Sequence, residues 1–441
     1  MKKNILFEGI CRKKAITLAI SLFFAFSGAT AQTWTKLNYP ERYVNKIFIP
    51  GNSANTIVVA GDNLPPIYEE YSFGSIMYYT GAGLSRGYRI SNDMGQTFSD
   101  VRLDTFSIRD FLQLPSNPNT WLAATARFEN EGGILVSTDA GQTWDVTERC
   151  PNNAFIRLQS GGNRVYAIAA NKSSSLRSSQ SIFTDDCSSG PGESVNALAR
   201  DISVSPIDPS RVFIADQFSG VRISSDSGKT FTVNTNGLEN LRVLSVLASR
   251  HNANIVYAGT DSIISITASK GYGIYKSLDT GRTWRKVGAP NARIWAIAEH
   301  PTNQYYLAAA GDSTGVWVSG SQGENWENHS SGIPANSKVR TITIPNLSGN
   351  ENGIRIIAGV QDSAHGGVYM SSAITTSVEE IMGRLPQLSI NRVFPQPMSN
   401  TAEVSWNMPI GADAIIEVSD ITGRKVFQSK RFYSQGEQRI E

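Results

Sequence analysis

Arginine is the residue type in this chain that returns with a rhythm and could do chemistry where it returns. Arg109, Arg157, Arg200, Arg242, Arg293 and Arg340 follow one another at intervals of roughly 40–50 residues. In the first repeat unit Lys46 is the nearest basic residue to the corresponding place. A guanidinium presents a planar fork of N–H donors that suits a carboxylate or phosphate bidentately. Six of them brought to one place would repel one another, and a bound anion would relieve that. The local alternative is that they pair with nearby carboxylates such as Asp110 or Asp201. Alternation of side chains along a strand would then decide which face each takes.

Other constellations are weaker. A glycosidase needs two carboxylates across a cleft, and Glu69 and Glu70 qualify only by lying in the long segment 62–87. A solvated acidic loop is the simpler reading of that pair. The same segment carries Tyr68, Tyr71, Phe73, Tyr78 and Tyr79. These rings would serve as a platform for a sugar or a protein, or would plug a channel. A second insertion spans 260–273. His251, His300, His329 and His365 lack metal-ligand spacing. No catalytic residue, metal or cofactor is therefore expected.

The elements that position these residues are announced by an eight-residue motif. It reads SNDMGQTF at 91–98, STDAGQTW at 137–144, SSDSGKTF at 224–231 and SLDTGRTW at 277–284, with a worn copy, SGSQGENW, at 319–326. The pattern S-x-D-x-G-x-T-[WF] describes a tight hairpin. The Asp side chain accepts bonds from backbone N–H groups just ahead of it, and Gly takes a left-handed turn. Asp93, Asp139, Asp226 and Asp279 are accordingly turn-formers rather than metal ligands or catalysts.

Each motif closes a longer unit. A strand ends at a Pro/Asn turn, a second strand rich in Val, Ile, Tyr and Ala follows, a third runs into the motif, and a fourth leaves it. Asn252 to Asn254 followed by Val256-Tyr257-Ala258-Gly259 shows the join. Four strands per unit at this period is the arithmetic of a propeller blade. Worn units at 165–180 and 354–372 bring the expected count to seven. The last unit lacks its outer strand, and Gln32-Thr33-Trp34-Thr35 resembles the tail of a motif. The N-terminal segment is expected to supply that strand and so remove two open edges. The fold class is thus all-β, a seven-bladed propeller of four-stranded blades over 32–373. Its channel mouth would be ringed by the arginines, on the face opposite the motif hairpins.

These motifs resemble those of the Asp-box (BNR) repeat propeller superfamily, which includes sialidases, sortilin-type receptors, xyloglucan-cleaving enzymes and photosystem II assembly factors. The resemblance implies the fold and spans enzymes and binding proteins alike. Sialidases place their first arginine in an R-I-P motif, but here Arg89-Ile90, Arg222-Ile223, Arg293-Ile294 and Arg355-Ile356 are followed by Ser, Ser, Trp and Ile. The xyloglucan-cleaving relatives pair two propellers, and this chain has room for one.

The ends of the chain read as addresses. Residues 1–31 have a basic start, the apolar stretch Ala15 to Ala29 and the A-x-A signal Ala29-Thr30-Ala31, the pattern of an export signal peptide. They hold five of the 40 basic and one of the 38 acidic side chains, leaving 35 against 37. That balance argues against a nucleic-acid partner, and the mature chain should contain no transmembrane segment. Residues 374–388 read as a linker. Within 389–441, Val393-Phe394-Pro395-Gln396-Pro397 and the hairpin from Ile415 to Val426 resemble the type A sorting domain of type IX secretion, as a small, C-terminally incomplete β-sandwich. Gln396 stands where that family has Asn. An ancillary fibronectin-like module is the alternative.

Cys150 and Cys187, the cysteines left after export, would form a disulfide if both enter neighbouring top-face loops. A rival register takes Thr184-Asp185-Asp186 as a motif and separates them by the depth of a blade. The functional expectation is an extracellular or outer-surface monomer without catalysis, binding a glycan, polyanion or protein through its top face and engaging the type IX machinery. The alternative is a secreted glycoside hydrolase or lyase.

Overall fold

A computed structural model describes residues 33–53, 55–63, 67–70, 76–79, 85–126, 132–149, 154–169, 175–179, 199–261, 272–312, 314–346 and 354–373. Outside this stretch it describes the strands 16–20, 389–394, 403–408, 412–420, 425–433 and 436–440. The chain divides into two compact units, one of residues 31–374 and one of residues 1–30 with 375–441.

The larger unit is all-β, with blade-like antiparallel sheets in a propeller arrangement. The first blade pairs Tyr43–Phe48, Ile57–Asp62 and Ser85–Ser91. The second pairs Ser107–Leu114, Asn117–Ala126, Ile134–Ser137 and Asp145–Arg149. The third pairs Phe155–Gly161, Arg164–Ala169 and Ser175–Ser179. Four-stranded sheets then begin at Ala199, Val243 and Arg293. In the closing blade, Val339–Thr343, Ile357–Val360 and Gly367–Ser371 are joined by the N-terminal strand Trp34–Lys36. Innermost strands touch in chain order, and the last of them touches the first.

The expectation of seven complete four-stranded blades needs correction, because five sheets have four strands and two have three among the described residues. In the first blade, the chain after the hairpin forms no fourth strand, and it meets Ser85–Ser91 through an isolated Tyr88–Arg102 bridge and a bond from the Ser99 amide to the Ile90 carbonyl at 2.8 Å. In the third, the chain beyond Ser179 lies outside the described residues until Ala199. The N-terminal strand does pair as expected, with Trp34 opposite Ser371. Trp34 is buried, and its Nε1 donates to the His329 carbonyl at 2.7 Å.

Second strands such as Val212–Asp216 and Leu307–Asp312 are buried along their whole length. A blade lies against each face, so period-two alternation gives way to a continuous apolar run. Near the axis the blades converge, and small residues let them approach. A Cβ at Gly359 would come within 2.5 Å of Val44 Cγ1 in the first blade. The core consists of clusters shared by neighbouring blades. One joins Leu122, Ala124 and Ile134 to Phe155 and Val165.

The motif hairpins have the predicted chemistry. Asp139 accepts from the Thr143 amide at 2.8 Å and from its hydroxyl, while Ser137 Oγ accepts from the Gly141 amide at 2.8 Å. Both Ala140 and Gly141 take left-handed backbone, at φ 57° and 77°. Three hairpins are also fastened to the preceding blade by a tyrosine. Tyr88 donates to the Gly141 carbonyl at 2.7 Å, Tyr166 to that of Ser227 at 3.2 Å, and Tyr257 to that of Gln322 at 2.8 Å.

In the smaller unit, Ser389–Phe394, Glu403–Met408 and Gly436–Ile440 form one sheet, and Ala412–Asp420 with Lys425–Tyr433 belongs to another. Ile16–Ile20, from the expected signal segment, pairs with Ala412–Asp420 in the full chain.

Candidate functional site

Every innermost strand carries the same irregularity. In the first blade Val44 pairs with Gly61 and Lys46 with Ala60, so Asn45 is left without an opposite residue. The register slips in the same way at Arg109 and Ile156, at Arg200 and Leu244, and at Trp295 and Arg340. A bulge of this kind adds one residue to one strand and re-aims its side chain. Here each extra residue is turned toward a common cavity of about 70 Å³. All the bulged residues line it, together with Arg157 and Gln361. Innermost strands begin on the face where second strands end, which is the face opposite the motif hairpins.

Four of the six recurring arginines, Arg109, Arg157, Arg200 and Arg340, therefore meet at one cavity. Arg242 and Arg293 do not line it. They lie two residues ahead of their bulges, and Leu244 and Trp295 take the lining positions instead. Both pair with Asp261, Arg242 at 3.1 Å and Arg293 at 2.5 Å.

The arginines are interleaved with carboxylates. Arg157 pairs with Asp201 at 3.1 Å and Arg340 with Asp312 at 3.2 Å, while Lys46 pairs with Asp110 at 2.6 Å. Arg109 Nη2 lies 3.7 Å from Asp62, and its Nη1 donates to Asn45 at 3.1 Å. Arg200 is held by Gln217, with Nε at 2.7 Å from the amide oxygen. Burial pushes the Asp201 carboxyl above the ordinary range, against the pull of Arg157.

Much of this network uses residues the sequence pattern did not single out. Asp62, Asp216, Asp261, Asp312 and Gln361 all stand where a second strand ends, opposite the start of the innermost strand. The repeated acidic strand end was visible in Gly61-Asp62, Ala215-Asp216, Thr260-Asp261 and Gly311-Asp312. Trp295 was missed as well. The Arg340 guanidinium stacks on its indole, 3.8 Å from the ring centroid.

Within the 62–87 segment, Ile67–Glu70 and Ile76–Tyr79 pair with each other, Tyr68 opposite Tyr78, Glu69 opposite Met77, Ile67 opposite Tyr79 and Glu70 opposite Ile76. Tyr71 and Phe73 lie outside the described residues, as do Cys150 and Cys187. Asp93, Asp139, Asp226 and Asp279 all sit in hairpins, each bonded to its own Ser and Thr. His251 Nε2 lies 3.0 Å from the His300 carbonyl, and the His300 ring accepts from the Thr302 and Asn303 amides.

No family profile matches the chain, and no curated protein does. Solved structures do. The structure described as YCF48 bound to D1 peptide superposes with a TM-score of 0.52 at 12% identity, over 80% of this chain and 100% of that one. YCF48 from Cyanidioschyzon merolae gives 0.49 at 10% identity, over 77% and 99%. The Niastella koreensis GH74 enzyme gives 0.37 at 14% identity, over 88% and 77%. At such identities the first likeness speaks for the propeller fold alone.

Proposed function

We propose that this chain is an exported propeller of seven blades, the first and third reduced. It performs no reaction of its own and binds an anionic ligand at the channel mouth opposite the Asp-box hairpins. An acidic glycan is the ligand class favoured, and an acidic protein segment presents the same charged groups. The observation that carries this reading is the meeting of Arg109, Arg157, Arg200 and Arg340 at one cavity. Preorganised guanidinium groups in a partly desolvated site bind anions far better than they would on an open surface. The Asp-box superfamily is the setting for the hairpins, and residues 389–441 are the type IX sorting domain that takes the protein to the outer surface.

Binding of the full chain to polygalacturonate and to neutral dextran tests this. The acidic polymer should bind and the neutral one should not, with affinity falling steeply as salt rises. Equal binding of the two polymers, or none of either, would overturn it.

A further inference from the structure

Around the cavity lie five buried N–H donor atoms without a hydrogen-bond partner: Nε and Nη2 of Arg109, Nε and Nη1 of Arg340, and Nε1 of Trp295. Arg109 is 7% exposed and Trp295 8%, and the Arg340 side chain is 11% exposed. Two acceptors nearby, Asp62 Oδ1 and Asp312 Oδ1, are also without a hydrogen bond, so donors outnumber acceptors. A buried donor left unpaired costs about 1–3 kcal/mol. Five around one cavity mark a place built for an acceptor that comes from outside.

Charge and size narrow the choice. Four arginines line the cavity, and three carboxylates, Asp62, Asp201 and Asp312, reach them. One positive charge remains, which matches a carboxylate. A phosphate group brings about −1.5 to −2 at neutral pH, more than the arginines lining the cavity leave unpaired. A volume of about 70 Å³ admits an oxyanion group together with a few waters. Nε and Nη2 of Arg109 form the lateral edge of a guanidinium, whose two parallel N–H bonds fit the two coplanar oxygens of a carboxylate.

We infer that the bulged residues Arg109, Trp295 and Arg340 form a carboxylate site, which takes the acidic group of a larger ligand. This rests on the anion-binding reading above and gives it a chemical identity. Arg109 accepts the group side-on, and Trp295 donates its indole N–H while bracing Arg340 by stacking. Leu244 and Ile156, the apolar bulged residues, add wall without adding charge.

The test is an NMR titration of the full chain labelled with ¹⁵N-tryptophan, whose eight indole signals are separable and whose Trp295 signal is assigned by Trp295→Phe. The probes are glucuronate, inorganic phosphate and glucose at pH 8 and constant ionic strength. Glucuronate should move the Trp295 signal with an affinity at least about tenfold above that of phosphate, and glucose should leave it in place. Arg340→Met should abolish the movement while the other indole signals stay put. The wild-type titration decides the matter even if that variant folds poorly. Phosphate binding as tightly as glucuronate, or a Trp295 signal that no anion moves, would overturn the carboxylate site. Polygalacturonate binding would in that case still stand for the broader reading.

Discussion

The two faces of this propeller obey opposite rules. On one face the same hairpin recurs with the same Ser, Asp, Gly and Thr bonded in the same way. On the other, the same backbone irregularity recurs with five residue types over seven turns: Asn45, Arg109, Ile156, Arg200, Leu244, Trp295 and Arg340. The hairpin needs its residues, because the Asp and Ser side chains supply acceptors that the left-handed backbone cannot find elsewhere. The bulge needs only its extra residue, whose side chain is unconstrained by the ladder. Repetition therefore builds the scaffold, and variation at a fixed backbone position builds the site.

The sharpest break of this comparison would come from the ring closure. Trp34→Ala removes a buried indole from the cluster that joins the closing blade to its neighbour, and it should cost about 3–5 kcal/mol. Denaturant unfolding measures it, and a midpoint close to wild type would mean that the N-terminal strand is an ornament.

Acid should separate the faces next. Bonds from the Thr97 and Thr143 hydroxyls, then from the backbone amides, hold the Asp93 and Asp139 carboxyls at about 2, against an ordinary 3.8. A depressed folded pKa means a contribution that is complete above the unfolded value and is lost as pH falls through the folded one. Melting temperature should therefore drop between about pH 4 and pH 2. The double variant Asp93→Asn with Asp139→Asn should start lower at neutral pH and follow a shallower slope through that window. Parallel slopes would remove these hairpins from the account of acid stability.

At the bulge ring the same kind of substitution should behave differently. Arg340→Met leaves Asp312 with Arg293 at 3.9 Å, and it should cost about 1–3 kcal/mol while weakening polygalacturonate binding. A loss of stability as large as that of Trp34→Ala would make the ring structural. The smallest effect concerns the worn hairpin at 319–326. There Ser321 accepts the Asn325 amide at 3.0 Å, and Lys276 of the preceding blade donates to the Gln322 carbonyl and to Glu324, both at 2.7 Å. Ser321→Asp with Asn325→Thr restores the motif and should add about 0.5 kcal/mol, readable as a small rise in melting temperature. A fall would mean that Lys276 and Glu324 have replaced the motif rather than rescued it.

How much of this was legible depends on the period of the signal. The hairpins were, since S-x-D-x-G-x-T is a local code whose bonds span four residues. The outer strand supplied by Trp34 was also legible, because it looks like the tail of a motif without a head. The recurring arginines pointed to the channel, but their alignment by sequence position put Arg242 and Arg293 in the ring and left Trp295 out. Register decides that, and a bulge shifts register by one. A trace of it exists in the apolar pairs three residues apart, Val44 and Ile47, Ile108 and Phe111, Phe155 and Leu158, Val339 and Ile342, all buried. Alternation with period two cannot bury both members of such a pair on one face unless the strand slips between them. Asp62 and Asp312 were missed because the arginines they approach, Arg109 and Arg340, lie in the next blade, at distances along the chain that no local pattern reports.

The pairing of Trp34 with Ser371 also sets an order of events. Thr33 and Ser372, bonded at 3.1 Å, are 339 residues apart, so the first strand made is among the last to find its place. Until the closing blade arrives, that blade has an unpaired edge and the N-terminal strand has no sheet. Long-range pairing of this kind is slow, because loop entropy is spent before any contact repays it. The ring thus has a latch that can engage only after the whole propeller has been synthesised. Until then the incomplete chain offers open strands to its neighbours. A chain that crosses a membrane before folding would meet this hazard on the far side, where the latch closes.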